Sequence, residues 1–426
     1  MFDVKDGVLY IEDVSAVELA ERFGTPLYVY SRGAIAARCR EIREDFLERW
    51  PGRAAAAYAG KAFLTPEMAR IIEREGLMLD VVSGGEFFTA LKAGFPAGRI
   101  KFHGNNKTKA ELEEAIGRGV GHIVVDGTDE LDLIEEICGR LGKRQPALFR
   151  IAPEVEAATH DHITTGKRDS KFGVPMDEHI LYPLIGRAIA SESVIFEGLH
   201  FHIGSQLFDN APYLEAMERT LDVVLEIHRR FGSAVPMIAV GGGFGIRYTA
   251  GEERRPYLYF LDPLMRQVET FCAAHGLKAP AVGIEPGRSI VGEAGVTLYR
   301  AGAIKDIPGA VKYVSVDGGM SDNIRPALYG AEYEAVIANK AGQTASDRVT
   351  VCGKLCETGD RIVDGALLAE ASRGDVLCVF ATGAYCYAMA SNYNKIPKAA
   401  VVLVDGADAS VIVRRQSYEE MIACEM

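Results

Sequence analysis

A chain of 426 residues is long enough for one large domain and a smaller one, and 48% hydrophobic with 25% charged residues is the composition of an ordinary globular protein. A net charge of −12 argues against nucleic acid or an anionic membrane as partner, since both are bound through basic surfaces. The opening MFDVKDGVLYIEDV carries acids and no apolar run, no segment reaches the ~18 apolar residues of a membrane span, and eight scattered cysteines are too sparse for a disulfide scaffold; a cytoplasmic protein with reduced thiols is expected.

From residue 54 to about 290, short β-prone runs alternate with amphipathic stretches of helical period. The runs are AAAAYA (54–59), LDVV (79–82), IKFHG (100–104), HIVVD (122–126), ALFRIA (147–152), IFEGLHFH (195–202), MIAVGGG (237–243) and AVGIEPG (281–287). Between them lie helical stretches such as PEMARIIEREG (66–76), KAELEEAIGRG (109–119), TDELDLIEEICGRLG (128–142) and YLEAMERTLDVVLEIHRRFG (213–232). Eight strands with helical crossovers predict an α/β fold, a (β/α)8 TIM-like barrel, with a doubly wound sheet as the rival. The barrel is preferred because Lys61, Ser83, Asn105, His202, Gly243 and Glu285 all fall at C-terminal strand ends, which converge on one mouth in a barrel. Beyond 290 the strands are punctuated by turns with little helix, which predicts an all-β domain of sandwich or barrel type. The expected division is a barrel over 26–290, and a β domain over 291–426 to which residues 1–25 add.

Several strand ends carry candidate chemistry. Lys61 in AYAGKAF could form a Schiff base if desolvated, or be a surface lysine. GGGFG (241–245) could cradle a phosphate with its backbone amides, or be a tight turn. In EPGRSI (285–290), Glu285 could accept a hydrogen bond from a protonated ring nitrogen and Arg288 could clamp an anion, or the two could pair with each other. His200 and His202 share a strand face. A metal would want a third ligand at a suggestive spacing, which is lacking, so no metal is expected; His160 and His162 form a second such pair in a polar segment. In GKLCETGD (353–360) an acid beside Cys356 raises its pKa and suits a proton donor better than a nucleophile; a buried structural cysteine is the alternative. Arg325 and Tyr329 in SDNIRPALYG, with Tyr385 and Tyr387 in ATGAYCYAM, suit carboxylate or phosphate recognition, though tyrosines in a β domain are more often packing.

Taken together, YAGKAF, LDVVSGGE, FHGNNK, GLHFHIGSQ, GGGFG, EPGR, YVSVDGGMSDNIRPALYGA, CETGD and ATGAYCY stand in an order that resembles the barrel-type (fold type III) pyridoxal-phosphate amino-acid decarboxylases over nearly the whole chain, and most of all the diaminopimelate decarboxylases. The resemblance implies pyridoxal 5′-phosphate as cofactor. Lys61 would attach it, His202 would lie against its ring, and Ser205, Gly243, Pro286, Gly287, Arg288 and Tyr385 would hold its phosphate. Glu285 would bond the ring nitrogen, favouring decarboxylation over the racemisation of relatives with arginine there. Cys356 would return a proton to Cα and, in this family, would come from the partner of a homodimer with shared sites. Arg288, Arg325, Tyr329, Glu357 and Tyr385 would bind the substrate. The implied reaction is meso-2,6-diaminopimelate to L-lysine and carbon dioxide. The alternative is another basic amino acid or polyamine precursor: ornithine, lysine, arginine or carboxynorspermidine. Phe63 departs from the commoner K-A-N, and 160–173 resembles the family's active-site loop. Cys386 and Tyr387 carry no assigned role, and His200, one layer deeper than His202, is expected to fill the barrel.

Overall fold

The computed structural model describes residues 1–155 and 170–426. His160, His162 and most of the expected loop 160–173 therefore lie outside the described residues. The chain divides into two compact units, one of residues 39–245 and 254–287, the other of residues 1–38, 246–253 and 288–426.

In the first unit eight strands run in parallel: β1 (Ala54–Ala59), β2 (Met78–Val81), β3 (Ile100–Phe102), β4 (His122–Val125), β5 (Gln145–Ala152), β6 (Val194–His200), β7 (Met237–Ala239) and β8 (Ala281–Ile284). Each pairs with the next, and β8 closes on β1 with Val282 opposite Ala54 and Ile284 opposite Ala56. The sheet is thus a closed barrel, and its strands read as unbroken apolar runs because both faces are buried. Val124, Leu148 and Ala239, from β4, β5 and β7, pack together within it. The crossover helices start where the sequence supplies caps. Thr65 accepts from Met68 N ahead of Pro66–Arg74, and Thr108 forms a reciprocal capping box with Glu111 ahead of Lys109–Arg118.

The second unit is β-rich. Its central strand Gly295–Ile307 pairs antiparallel with Leu27–Ser31, Val311–Val316 and Val376–Val379. Leu27–Ser31 pairs on its other side, in parallel, with Ala400–Asp405, and all five of its residues are buried. Leu27, Val29, Val296, Leu298 and Val402 share one core with Leu19 of the helix Ala16–Phe23. These pairings place residues 26–38 in the β-rich unit, whereas the sequence division starts the barrel at 26. Residues 246–253 also join this unit, although they lie in sequence between β7 and β8. Among the described residues no helix is long and apolar enough to cross a membrane.

Candidate active site

The barrel places four of its functional segments at the C-terminal ends of β6, β7, β8 and β1, which are consecutive round the sheet. β6 stops at His200, so His202 lies just beyond the strand and not in it. Three hydrogen bonds knit the following loops together. Phe201 N donates to Ala239 O at 2.8 Å, Leu207 N to Gly243 O at 2.9 Å and Gly245 N to Leu207 O at 2.8 Å. Ser205 is thereby held alongside the glycine loop. Gly243 has φ +101°, and a Cβ there would overlap the Gly204 carbonyl oxygen and come within 3.0 Å of the Tyr213 hydroxyl. Only glycine fits such a position without strain, and it leaves the backbone bare at the mouth.

Next to this loop, Ala59 N donates to Pro286 O at 3.1 Å, and a Cβ on Gly287 would stand 3.0 Å from that of Ala59. The 286–287 turn therefore packs on the segment that carries Lys61. Pro286 has no N–H, so it contributes geometry and no amide donor, which narrows the role the sequence reading gave it. Lys61 sits in the short turn Gly60–Ala62, exposed itself and flanked by buried Ala62 and Phe63. Tyr58 Oη donates to Phe63 O at 2.7 Å, so the unusual phenylalanine is a fastened, buried part of the turn.

Below the mouth lies a buried charge cluster. Glu285 Oε2 is 2.9 Å from His200 Nε2, and its Oε1 is 3.3 Å from both Lys101 Nζ and His103 Nε2. Burial alone would raise the Glu285 carboxyl, but His103, His200 and Lys101 outweigh it and hold the group well below the usual carboxylate range. Asp80, Oδ1 3.8 Å from His103 Nε2, goes the other way, raised to about 8 by burial and by the Glu285 charge. Burial lowers His200 to about 3, and lowers His103 and His202 as well, the positive charge of Lys61 adding to the effect on His202. At neutral pH the cluster thus holds neutral imidazoles, a mostly protonated Asp80 and an ionised Glu285. His200 fills the barrel interior as expected, 1% exposed, and is there a direct partner of Glu285. The ligand atoms of His103, His200 and Glu285 lie within 4.8 Å of one another, a spacing a metal could use; Lys101 already supplies the cation beside this carboxylate. Sequence reasoning missed Lys101, His103 and Asp80. Their signal was a charged or polar residue inside or just after an apolar strand run, in IKFHG and LDVV.

The β-rich unit gathers a second group. Arg288 and Arg325 are both buried and both donate from Nη1 to the Tyr248 hydroxyl, Arg325 at 2.9 Å. The same Arg325 nitrogen donates to Tyr333 Oη at 2.6 Å. The Tyr385 ring lies 4.9 Å from the Arg288 guanidinium and 6.0 Å from that of Arg325. Tyr333 Oη is 3.8 Å from Cys386 Sγ, so Cys386 backs this group, its thiol pushed by burial up to about 11. Among the described residues no carboxylate pairs with Arg325. Tyr329, one turn along the helix Arg325–Tyr329, is half-buried and shares no described hydrogen bond with this group. Cys356 and Glu357 sit exposed on a turn, Cys356 N donating to Asn394 Oδ1 at 2.7 Å and Tyr393 Oη lying 3.4 Å from Glu357 Oε2. Tyr248 and Tyr333 were also missed; neither stands in a stretch that points to chemistry.

The bare glycine loop, the buried anionic carboxylate and the lysine at the end of β1 fit the three ends of pyridoxal 5′-phosphate: an anion, a protonated ring nitrogen and a carbonyl. The family model of the pyridoxal-dependent decarboxylase pyridoxal-binding domain matches residues 32–292. The chain is 45% identical to diaminopimelate decarboxylase of Bacillus subtilis (strain 168) over 420 residues, 99% of this chain and 95% of that one. It is 46% identical to that of Bacillus methanolicus over 410 residues, 96% and 95% of the two chains. The crystal structure of diaminopimelate decarboxylase from M. jannaschii in co-complex with L-lysine aligns with a TM-score of 0.94 at 34% identity, covering 100% of this chain and 98% of that one. With kinship of this extent added to the barrel and its cluster, the chain belongs to the diaminopimelate decarboxylases, carboxy-lyases that use pyridoxal 5′-phosphate.

Proposed function

We propose that this decarboxylase acts on meso-2,6-diaminopimelate, releasing carbon dioxide and L-lysine as the last step of lysine biosynthesis. The observation that carries the substrate is Arg325, a buried guanidinium whose hydrogen-bond partners are two neutral phenols. A buried cation without an anion is costly, so the site favours a substrate that brings a carboxylate. Diaminopimelate has a carboxylate to spare at its distal end, while ornithine and lysine have none. The L-lysine in the M. jannaschii crystal is the product this reading expects.

Bound pyridoxal 5′-phosphate supplies the electron sink that accepts the bonding pair released with carbon dioxide. Lys61 would hold the cofactor at its Nζ, the place for which the substrate's α-amine competes. Ser205, Gly243, Gly287 and the Arg288 amide would hold the phosphate, with Tyr385 as a further partner, and His202 would lie against the ring. Glu285 keeps a proton on the ring nitrogen. Arg288, Arg325 and Tyr329 take the distal carboxylate, and Glu357 the distal ammonium. Cys356 delivers its Sγ proton to Cα once carbon dioxide has left. Its exposure on a turn supports donation across the interface of a homodimer, so that the Lys61 site of one protomer is completed by Cys356 of the partner subunit. Eight free thiols support a reducing, cytoplasmic setting.

The substrate test is carbon dioxide release from meso-diaminopimelate, ornithine, lysine, arginine and carboxynorspermidine. Turnover of ornithine or lysine at a kcat/KM matching that of diaminopimelate would overturn the assignment. For the dimer, equal amounts of Lys61→Ala and Cys356→Ala are mixed. Random exchange should restore about a quarter of wild-type activity, because half of the dimers would carry one intact site. A mixture that stays inactive after proven exchange rejects the shared site.

A further inference from the structure

Lys101 is a charged side chain of the barrel interior that these roles leave unused. It is 1% exposed, in the middle of β3, with Nζ 3.3 Å from Glu285 Oε1. A lysine is rarely so buried unless it is paired. We propose that Lys101 is a positioning residue for catalysis: its charge keeps Glu285 ionised, so that the proton shared between this carboxylate and the cofactor ring stays on the ring nitrogen. The proposal rests on the reading of Glu285 as the partner of that nitrogen.

The physical case is a comparison within one cavity. Asp80 and Glu285 are both buried carboxyls, 4% and 5% exposed. Asp80 has no lysine or arginine in contact among the described residues and its Oδ1 has no hydrogen-bond partner there, and although Lys61, Lys101 and Arg150 pull the other way, burial and the Glu285 charge hold its proton to about pH 8. Glu285 faces Lys101 and His103 from β3 and its end, and His200 from β6; Asp80 on β2, Arg150 on β5 and His202 beyond β6 complete its charged surroundings. His103 and His200 also favour the ionised carboxylate, but burial draws both imidazoles towards their neutral form, and Lys101 is the lysine in contact with the carboxylate. A carboxylate so placed can accept a proton's hydrogen bond without taking the proton. A neutral carboxylic acid there would leave the ring nitrogen bare and the electron sink weak.

The experiment compares Lys101→Met, Lys101→Arg, Glu285→Gln and the double variant Lys101→Met/Glu285→Gln, each as the full-length holoenzyme. For Lys101→Met we expect kcat to fall at least about tenfold with KM within about threefold, the loss of a transition-state interaction. The acid limb of its kcat profile should move to higher pH, as should the pH at which the visible absorbance band of the bound cofactor changes. Lys101→Arg should restore both in large part. In the Glu285→Gln background the same Lys101→Met change should have almost no effect, because the group it acts through is gone. This double variant also removes the unpaired buried carboxylate, so it reports even if Lys101→Met alone folds poorly. The proposal falls if Lys101→Met keeps wild-type kcat and pH profile, or if its loss is undiminished in the Glu285→Gln background. A Glu285→Gln enzyme with wild-type kcat and absorbance would instead bring down the reading of Glu285 itself, and the proposal with it.

Discussion

Replacing Arg325 with methionine tests substrate recognition most directly. Arg325 spends Nη1 on Tyr248 at 2.9 Å and Tyr333 at 2.6 Å, while Nη2 and Nε bond nothing among the described residues. Two parallel N–H groups therefore remain, the fork that matches a carboxylate. Hydrogen bonds to charged groups contribute about 1.5–3 kcal/mol each, so losing two costs roughly 3–6 kcal/mol, a fall in kcat/KM for meso-diaminopimelate of about 150- to 25,000-fold. The distal carboxylate does not react, so the contact is made equally in ground and transition states, and the loss should appear mainly in KM. For L-lysine, which has no distal carboxylate, the wild-type site leaves the guanidinium buried and unmatched. Arg325→Met removes that penalty, so the preference for diaminopimelate over lysine should collapse by at least the same factor. The assay is carbon dioxide release at varied concentrations of both substrates, with a thermal melt to confirm the fold. A properly folded Arg325→Met enzyme whose kcat/KM for diaminopimelate stays within about threefold of wild type would refute the assignment of this guanidinium.

Lys61→Ala should abolish the cofactor adduct that borohydride fixes to the wild-type chain, read by intact mass, together with turnover; an adduct that survives elsewhere would displace Lys61 from its role. Asp80 holds its carboxyl at about 8 against an ordinary 3.8, so the native state binds that proton more tightly than the unfolded chain does. The stability it contributes is complete below about pH 4 and is lost as pH rises towards about 8. Asp80→Asn, which carries no titrating group, should therefore gain on wild type in melting temperature across that window, and a constant difference from about pH 4 to 9 would contradict the raised pKa. Gly243→Ala forces a side chain into φ +101° and against the Gly204 carbonyl, a cost of about 2–4 kcal/mol, so both melting temperature and cofactor affinity should drop. Wild-type values for both would show that the loop relaxes freely.

The barrel was legible because its strands are buried on both faces. AAAAYA, IKF and HIVV stand out as short apolar runs at the spacing of a β/α repeat. Most strands end within about two residues of the run that foretold them, while β7 and β8 stop earlier, short of the glycines and the proline that follow. The pairing of Leu27–Ser31 was not legible, since its partners lie near residues 295 and 400 and its own sequence, LYVYS, would suit either unit. The same holds for Tyr248, which stands between β7 and β8 in the chain but belongs to the β-rich unit with Arg288 and Arg325. Within the strands, alternation says that one set of side chains faces inward but not which set. Lys101 between Ile100 and Phe102 could have pointed to solvent, and only closure of the barrel turns it onto Glu285. His200 and His202, equivalent by parity, separate because the strand ends between them: His200 is fixed on Glu285, while His202 belongs to the loops.

That separation bears on how the site selects one orientation of its cofactor. A flat ring with an anion at one end and a basic nitrogen at the other can be oriented by shape at the first and by charge at the second. In the proposed roles the glycine loop would settle the phosphate end by shape, since no Cβ is admitted at Gly243. The nitrogen end needs a single anion, and two carboxyls compete for the part. Had Asp80 and Glu285 both ionised, a protonated nitrogen could have been drawn to either side of His103, which lies between them at 3.8 and 3.3 Å. Lys101 and the two imidazoles break the tie by favouring the ionised form of Glu285, and that charge in turn keeps Asp80 protonated. The cluster below the mouth is therefore one coupled unit, and substitutions at Lys101, Asp80 and Glu285 should be non-additive wherever cofactor binding is measured.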